Sequence, residues 1–447
     1  MKEERKKKLM QLGADSHSDA LLDMARSLEQ VDDRVNQMVS TQEENIRAFR
    51  KKLSGLRRST KFNDWRQSSH LADSLSQLLD GLEACSPEPC LGVELVADFY
   101  ETDSSVFEYC DEAKGSIGSV YSIRAKDLFI EYAQSCRDKK TIVSILMRLC
   151  QNDRFGVRTS LMDSLSTFLD EQTIRTMIGK LQALAVEEDE EVTRNYYQNR
   201  VLSCASQIKD AQLFEKTLLG IHGKKLESII EIAQFHLKCD DVEAAFAWIQ
   251  KFPNDRVYLR KRYLSILTEI YRRQGDKENL AIILRKRLRK LHVPSVLQEL
   301  LDVVGEGFRA EVIAGESSHI LNDSLFCLSN LAFLLEVGEL KDAEAYLFAR
   351  TDEIAGMWHN EIIPIATTFE EHKSFLASTV IYRALLDFIL ENGDTPFYPD
   401  AVAFLKKLDA LSPLVPDWLS FADHAAYKGS LLKIHGRKRN FWAQHAG

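Results

Sequence analysis

Apolar residues return every three or four positions along most of this chain. Leu71, Leu75, Leu78, Leu79 and Leu82 form one stripe. Leu226, Ile229, Ile230, Ala233 and Leu237 form a second, and Leu280, Ile283, Leu284, Leu288 and Leu291 a third. Such spacing puts each set on one face of an α-helix. Asn63 or Asp64 precedes the first stripe as an N-cap, because a short side-chain oxygen can accept the free amides of a first turn. No stretch alternates apolar and polar residues between hairpin-forming dipeptides, so the pattern predicts an all-α chain with no significant sheet.

The helices read as pairs joined by similar turns. Asp240-Asp241-Val242-Glu243-Ala244-Ala245, Gly275-Asp276-Lys277-Glu278-Asn279-Leu280 and Gly338-Glu339-Leu340-Lys341-Asp342-Ala343 share one form. A small or turn-forming residue ends one helix, an acid follows, and small or apolar residues open the next. The spacing resembles the tetratricopeptide repeat, whose period is about 34 residues, although the full consensus of that repeat is absent. The expected architecture is an α-solenoid of stacked antiparallel helical hairpins, each burying its apolar face against the next. Soft boundaries fall at Ser86-Pro87-Glu88-Pro89, at the acidic run Glu187–Glu191 and at the prolines between 396 and 416. They divide the chain into an N-terminal helical region (1–84), a helical middle region (85–186), tetratricopeptide-like repeats (187–394) and a C-terminal helical cap with a basic tail (395–447).

Composition agrees with long helices. The 447 residues include only 20 glycines and 9 prolines, about half the average share of roughly 12%. The net charge of −9 exerts no global pull toward nucleic acid. No apolar run approaches the roughly 18 residues of a spanning helix, and no apolar segment follows the charged N-terminus. A cytoplasmic protein without membrane attachment is expected. Its eight cysteines, spread from Cys85 to Cys327, are then expected to be reduced thiols.

Motifs for chemistry are sparse. Gly220-Ile221-His222-Gly223-Lys224-Lys225 lacks the first glycine and the hydroxyl of a phosphate loop, and Gly115-Ser116-Ile117-Gly118 follows no strand pattern. There is no nucleophile elbow. Cys85 and Cys90 form one pair without a second pair at zinc spacing, and Trp358-His359-Asn360-Glu361 only approximates a metalloprotease helix. No catalytic residue, cofactor or metal is assigned. A cleft gathering His359, His372, Glu370 and Glu371 with a distant carboxylate would raise the case for an enzyme.

Charge is laid out unevenly. Residues 67–120 hold 11 acids against one base, Lys114, while residues 251–292 hold 13 bases against four acids. Arg256, Arg260, Arg285, Lys286, Arg289 and Lys290 dominate the basic stretch, and Arg285, Arg289 and His292 share one helix face. They make a binding stripe for phosphate or an acidic partner, or else a solvated face partly paired with acids.

Three segments carry a family resemblance: Phe62-Asn63-Asp64-Trp65-Arg66, Asp111-Glu112-Ala113-Lys114-Gly115-Ser116-Ile117-Gly118, and the tail from His424-Ala425-Ala426-Tyr427 through His435-Gly436-Arg437-Lys438-Arg439-Asn440-Phe441-Trp442. From about Leu9 to Trp442 the chain resembles a bacterial domain-of-unknown-function family of all-helical proteins, whose relatives include helical regions fused to SWIM-type zinc fingers. The cysteines and histidine of such a finger are absent, so no zinc module is carried over. The resemblance implies a helical-repeat fold and no established activity. Asp64, Trp65, Arg66, His435, Arg437, Lys438 and Trp442 are its candidate interaction residues. Each has a structural reading as well: Trp65 packs between helices, Gly436 ends the final helix, and Phe441 and Trp442 cover the apolar end of the last hairpin. The expected function is a non-enzymatic scaffold binding a protein or peptide. The alternative is a nucleic-acid-associated accessory protein using the 251–292 stripe.

Overall fold

The structure is a computed structural model. It describes residues 13–446 apart from 28, 61, 63, 112–114, 152, 254–258 and 355–358, and it leaves aside the side chains of 29, 30, 65, 66, 359 and 446. Among the described residues every regular element is helical and no strand is present. The all-α expectation holds. None of these helices is long and apolar enough to cross a membrane. Packing divides the chain into two compact units, Met1–Trp248 and Ile249–Gly447.

One hydrogen-bonded turn recurs in both units and explains why the helices come in pairs. Gly275 and Gly338 have φ of 70° and 85°, the left-handed conformation that glycine adopts without penalty. The next amide then reaches back along the preceding helix, Asp276 N–H to the Tyr271 carbonyl at 3.0 Å and Glu339 N–H to the Leu334 carbonyl at 2.8 Å. These bonds satisfy carbonyls that a helix end leaves free. Asp240 makes the same closure with Asp241, and the Asp241 and Asp276 carboxylates then accept the amides of Ala244 and Asn279 to start the following helices. The three predicted hairpins are therefore present. Lys209–Asp210 and Lys373–Ser374 repeat the closure with a lysine in the left-handed position, which no glycine or asparagine announced.

In the first unit, the helices Pro89–Tyr100, Lys126–Ser135, Lys139–Gln151 and Glu171–Glu187 enclose a core that runs from Ile46 to Cys204. Asp64 caps the helix Trp65–Cys85 through the Gln67 amide at 2.9 Å, as its position predicted. Arg158 and Asp103 are buried at the centre, 2% and 0% exposed. The guanidinium meets the carboxylate through Nε and Nη2 at 2.8 and 2.7 Å and also donates to the carbonyls of Leu149 and Tyr100. A charge removed from water needs full pairing of this kind.

The reduced-thiol expectation fails at one place. Cys90 and Cys136 form a disulfide with their Cα atoms 4.8 Å apart. The helices Pro89–Tyr100 and Lys126–Ser135 approach closely there because residue 92 is glycine: a Cβ on Gly92 would lie 2.5 Å from the Tyr132 ring. The two cysteines lie 46 residues apart in sequence, so their proximity is a product of packing. Cys85, Cys110, Cys150, Cys204, Cys239 and Cys327 lie outside this disulfide.

In the second unit a continuous core runs from Leu280 to Phe441. The tail is folded into it. The helix His424–His435 is followed by another, Arg439–Ala446, so Gly436 does not end the final helix as expected. Nor is Gly436 left-handed (φ −59°). It is needed because a Cβ there would meet the Leu432 carbonyl oxygen at 2.5 Å. Phe441 is fully buried, edge-on to Tyr398, and Trp442 Nε1 donates to the His435 carbonyl at 3.0 Å. Asp409 holds the tail electrostatically. His424 Nε2, Lys428 Nζ and His445 Nε2 lie 2.7, 2.7 and 3.1 Å from its two oxygens. Burial alone would raise the Asp409 carboxyl, but hydrogen bonds from Lys428, His424 and His445 outweigh it and hold the carboxyl at about 2. Nearby, the buried guanidinium of Arg383 is clasped between the Trp418 and Tyr427 rings at 4.6 and 4.4 Å.

Two outcomes are expected for this cap. Phe441→Ala should lower unfolding stability by about 3–5 kcal/mol in denaturant titrations; an unchanged midpoint would mean that the tail is not packed. Asp409 titrates lower in the folded chain than its ordinary 3.8, so the stability it contributes is present above that value and is lost as pH falls toward 2. The stability gap between native protein and Asp409→Asn should therefore shrink as pH falls between about 4 and 2.

Candidate anion-binding cleft

The helices Arg260–Gln274 and Lys277–Leu291 form the hairpin around Gly275. Leu264, Ile266, Leu267 and Ile270 on the first, with Leu280, Ile283, Leu284 and Leu288 on the second, are buried. Because the pair is antiparallel, the start of the first helix faces the end of the second. Arg260 is thereby brought to Lys286, Arg289 and Lys290, and the four line one cavity of about 260 Å³. Its apolar wall comes from Phe252, Tyr263, Leu264 and Ile283. The Phe252 and Tyr263 rings stack with centroids 5.1 Å apart, and burial pushes the Tyr263 phenol up. Among the described residues no acidic side chain lines the cavity.

The surrounding ion pairs separate committed bases from uncommitted ones. Arg272 and Arg273 bind Glu269, and Arg272 and Arg287 share Glu299. Arg289 reaches the buried Glu316 at 3.1 Å. Arg260, Lys286 and Lys290 have no ion-pair partner among the described residues. Lys290 sits in the last turn of its helix, where the dipole favours a cation, but Arg260 does not. It opens a first turn of Arg260-Lys261-Arg262 that contains no acid. Three cations at a helix N-terminus oppose the dipole and bring no local gain in stability.

The face predicted to join Arg285, Arg289 and His292 in solvent divides instead. Arg285 is exposed and outside the cavity lining. His292 is buried and left-handed (φ 42°), with Nδ1 2.7 Å from Asn330 Oδ1 and Nε2 3.4 Å from Glu316 Oε2. Burial raises the Glu316 carboxyl, but His292 and Arg289 outweigh that and leave it lowered. Sequence reasoning missed Glu316, although it was readable: the acid shares an apolar helix face with Val312, Ile313 and Ile320.

The remaining candidates lie elsewhere. Arg256 falls outside the described residues, as do the side chains of Trp65, Arg66 and His359. Asp64 is an N-cap, and His435 and Trp442 belong to the packed tail along with the exposed Arg437 and half-buried Lys438. Glu370 is bound to Lys407 at 2.8 Å and to the Tyr382 hydroxyl at 3.0 Å. A second cluster went unread in the sequence: buried His236 lies between Glu215 at 3.1 Å and Asp241 at 3.3 Å, with Trp248 Nε1 donating to the same Glu215 oxygen. It braces consecutive helices around the Asp240 turn.

Comparison with known proteins gives a family without an activity. A model described as a family of unknown function (DUF6880) matches residues 4–218 and 222–444. No curated protein matches the chain. Among solved structures it is similar to a circular tandem repeat protein with novel repeat topology and enhanced subunit contact surfaces, at 14% identity over 96% of each chain, with a TM-score of 0.20.

The division between committed and uncommitted bases predicts unequal costs. Glu316→Ala leaves His292 buried without its acid and should cost about 1–3 kcal/mol. Lys286→Gln with Lys290→Gln should stay within about 0.5 kcal/mol of the native protein. Thermal unfolding of the two variants checks this, and equal losses would mean that the lysines are structural.

Proposed function

We propose that this chain, which belongs to the DUF6880 family of unknown function, is a non-enzymatic, tetratricopeptide-like binding scaffold whose basic cleft docks an acidic segment of a partner protein. One observation carries the reading. Arg260, Lys286 and Lys290 converge on a cavity with no acid among its described lining residues, while neighbouring arginines are paired with Glu269 and Glu299. A hairpin that pairs Arg272, Arg273, Arg287 and Arg289 with acids and gathers these three in one cavity offers them to an external anion. Placement at the mouth of a helical hairpin suits an extended segment lying across it.

Nucleic acid is the weaker fit. Tight duplex binding draws on many phosphate contacts, yet Arg272, Arg273, Arg287 and Arg289 are already occupied by carboxylates. Poly-glutamate and a random-sequence DNA duplex serve as probes in fluorescence anisotropy at physiological salt. Poly-glutamate should bind, and combining Arg260→Gln, Lys286→Gln and Lys290→Gln should weaken it by about tenfold or more, equivalent to about 1.4 kcal/mol. Duplex binding that is tighter and falls steeply with salt would replace this reading with the nucleic-acid one.

A further inference from the structure

We infer that the group this cleft takes from its partner is a phosphate monoester on an aromatic ring, a phosphotyrosine side chain. The inference rests on the acidic-segment reading and narrows it to one chemistry.

Charge is the first observation. Three cations with no ion-pair partner among the described residues line the cavity, and Arg289, shared with Glu316, is a fourth. A single carboxylate brings one negative charge and two oxygens, so it leaves most of that positive charge uncompensated. A phosphate monoester carries about −1.5 to −2 at pH 7 and presents three strong acceptor oxygens. It can accept from the Arg260 guanidinium and both lysine ammoniums at once, in the charge-assisted bonds that Arg and Lys form best with phosphate.

The apolar wall is the second. Phe252 is buried, Tyr263 is partly buried against it, and Leu264 and Ile283 complete the surface. An aspartate or phosphoserine side chain would put its charge among the bases and leave the exposed part of the Tyr263 ring in water. A phenyl ring beneath the phosphate covers that part and can stack on it, offset or edge-on.

Size is the third. A cavity of about 260 Å³ lies just below the roughly 300–1,000 Å³ of pockets that enclose drug-sized ligands. It suits one large side chain delivered by a peptide whose main chain stays outside.

The test uses the full-length protein and short fluorescent Gly-Ser peptides with one central phosphotyrosine, phosphoserine, glutamate or tyrosine. Phosphotyrosine should bind at least about tenfold more tightly than each of the others, a gap of about 1.4 kcal/mol. Unlabelled phenyl phosphate should displace it at lower concentration than inorganic phosphate, which separates a ring-borne monoester from the free anion. Lys286→Gln with Lys290→Gln should abolish the preference, Arg260→Gln should weaken it, and Arg285→Gln, outside the cleft, should leave it unchanged, with circular dichroism confirming that every variant is folded. Equal binding of the phosphotyrosine and glutamate peptides would overturn the phosphate inference and leave the acidic-segment reading standing. Equal binding of phosphoserine and phosphotyrosine would overturn the aromatic part. Failure of all four peptides, with poly-glutamate still bound, would overturn the inference alone; failure of poly-glutamate as well would remove both readings.

Discussion

An amphipathic helix in water exposes an apolar face that it cannot cover by itself, and in this protein the helix that follows in sequence supplies most of the cover. The left-handed turn makes that possible. Placing one residue at positive φ and sending the next amide back into the preceding helix reverses the chain within a few residues and satisfies carbonyls that would otherwise be lost. Gly275, Gly338 and Gly393 do this at no steric cost. Lys209, Asp240 and Lys373 do it at a cost that the packing of the two flanking helices offsets. Each closure sets two helices side by side, and the second unit's core draws on such pairs.

Once the hairpins stack, polar groups trapped between them must be paired. Arg158–Asp103 in the first unit and Glu316 with Arg289 and His292 in the second meet this demand in different ways. The first pair is sealed and saturated by backbone carbonyls as well as by the carboxylate. Glu316 is buried but draws on Arg289, whose guanidinium remains half exposed. Arg289 therefore belongs both to the interior network and to the cleft, and it links the packing of the helix Arg309–Leu321 to the electrostatics of the cavity. The Asp409 hub shows the same economy at the C-terminus, where one carboxylate draws in groups from two tail helices.

The cleft follows from this geometry. Antiparallel pairing sets the first turn of one helix against the last turn of the next, so bases remote in sequence meet. Glu269 and Glu299 pair with Arg272, Arg273 and Arg287 along the hairpin's length, away from its open end. Of the stripe's 13 bases, four line one cavity beside an aromatic wall. Low-dielectric walls around such a focus strengthen its field toward an anion.

The sequence by itself determined the helices, the hairpin turns around Asp240, Gly275 and Gly338, and the Asp64 cap, because these depend on spacings of a few residues along one chain. It also located the basic segment, since charge is a property of composition. Tertiary structure decided the rest. Which bases are neutralised depends on Glu299 and Glu316 from later helices, and whether His292 faces solvent or core depends on Asn330 in a later helix still. Cys90 meets Cys136 because Gly92 lets two helices close, and the tail packs because Tyr398 and Asp409 await it. Each of these contacts joins residues far apart in sequence, and no local periodicity encodes which faces will meet once the hairpins stack.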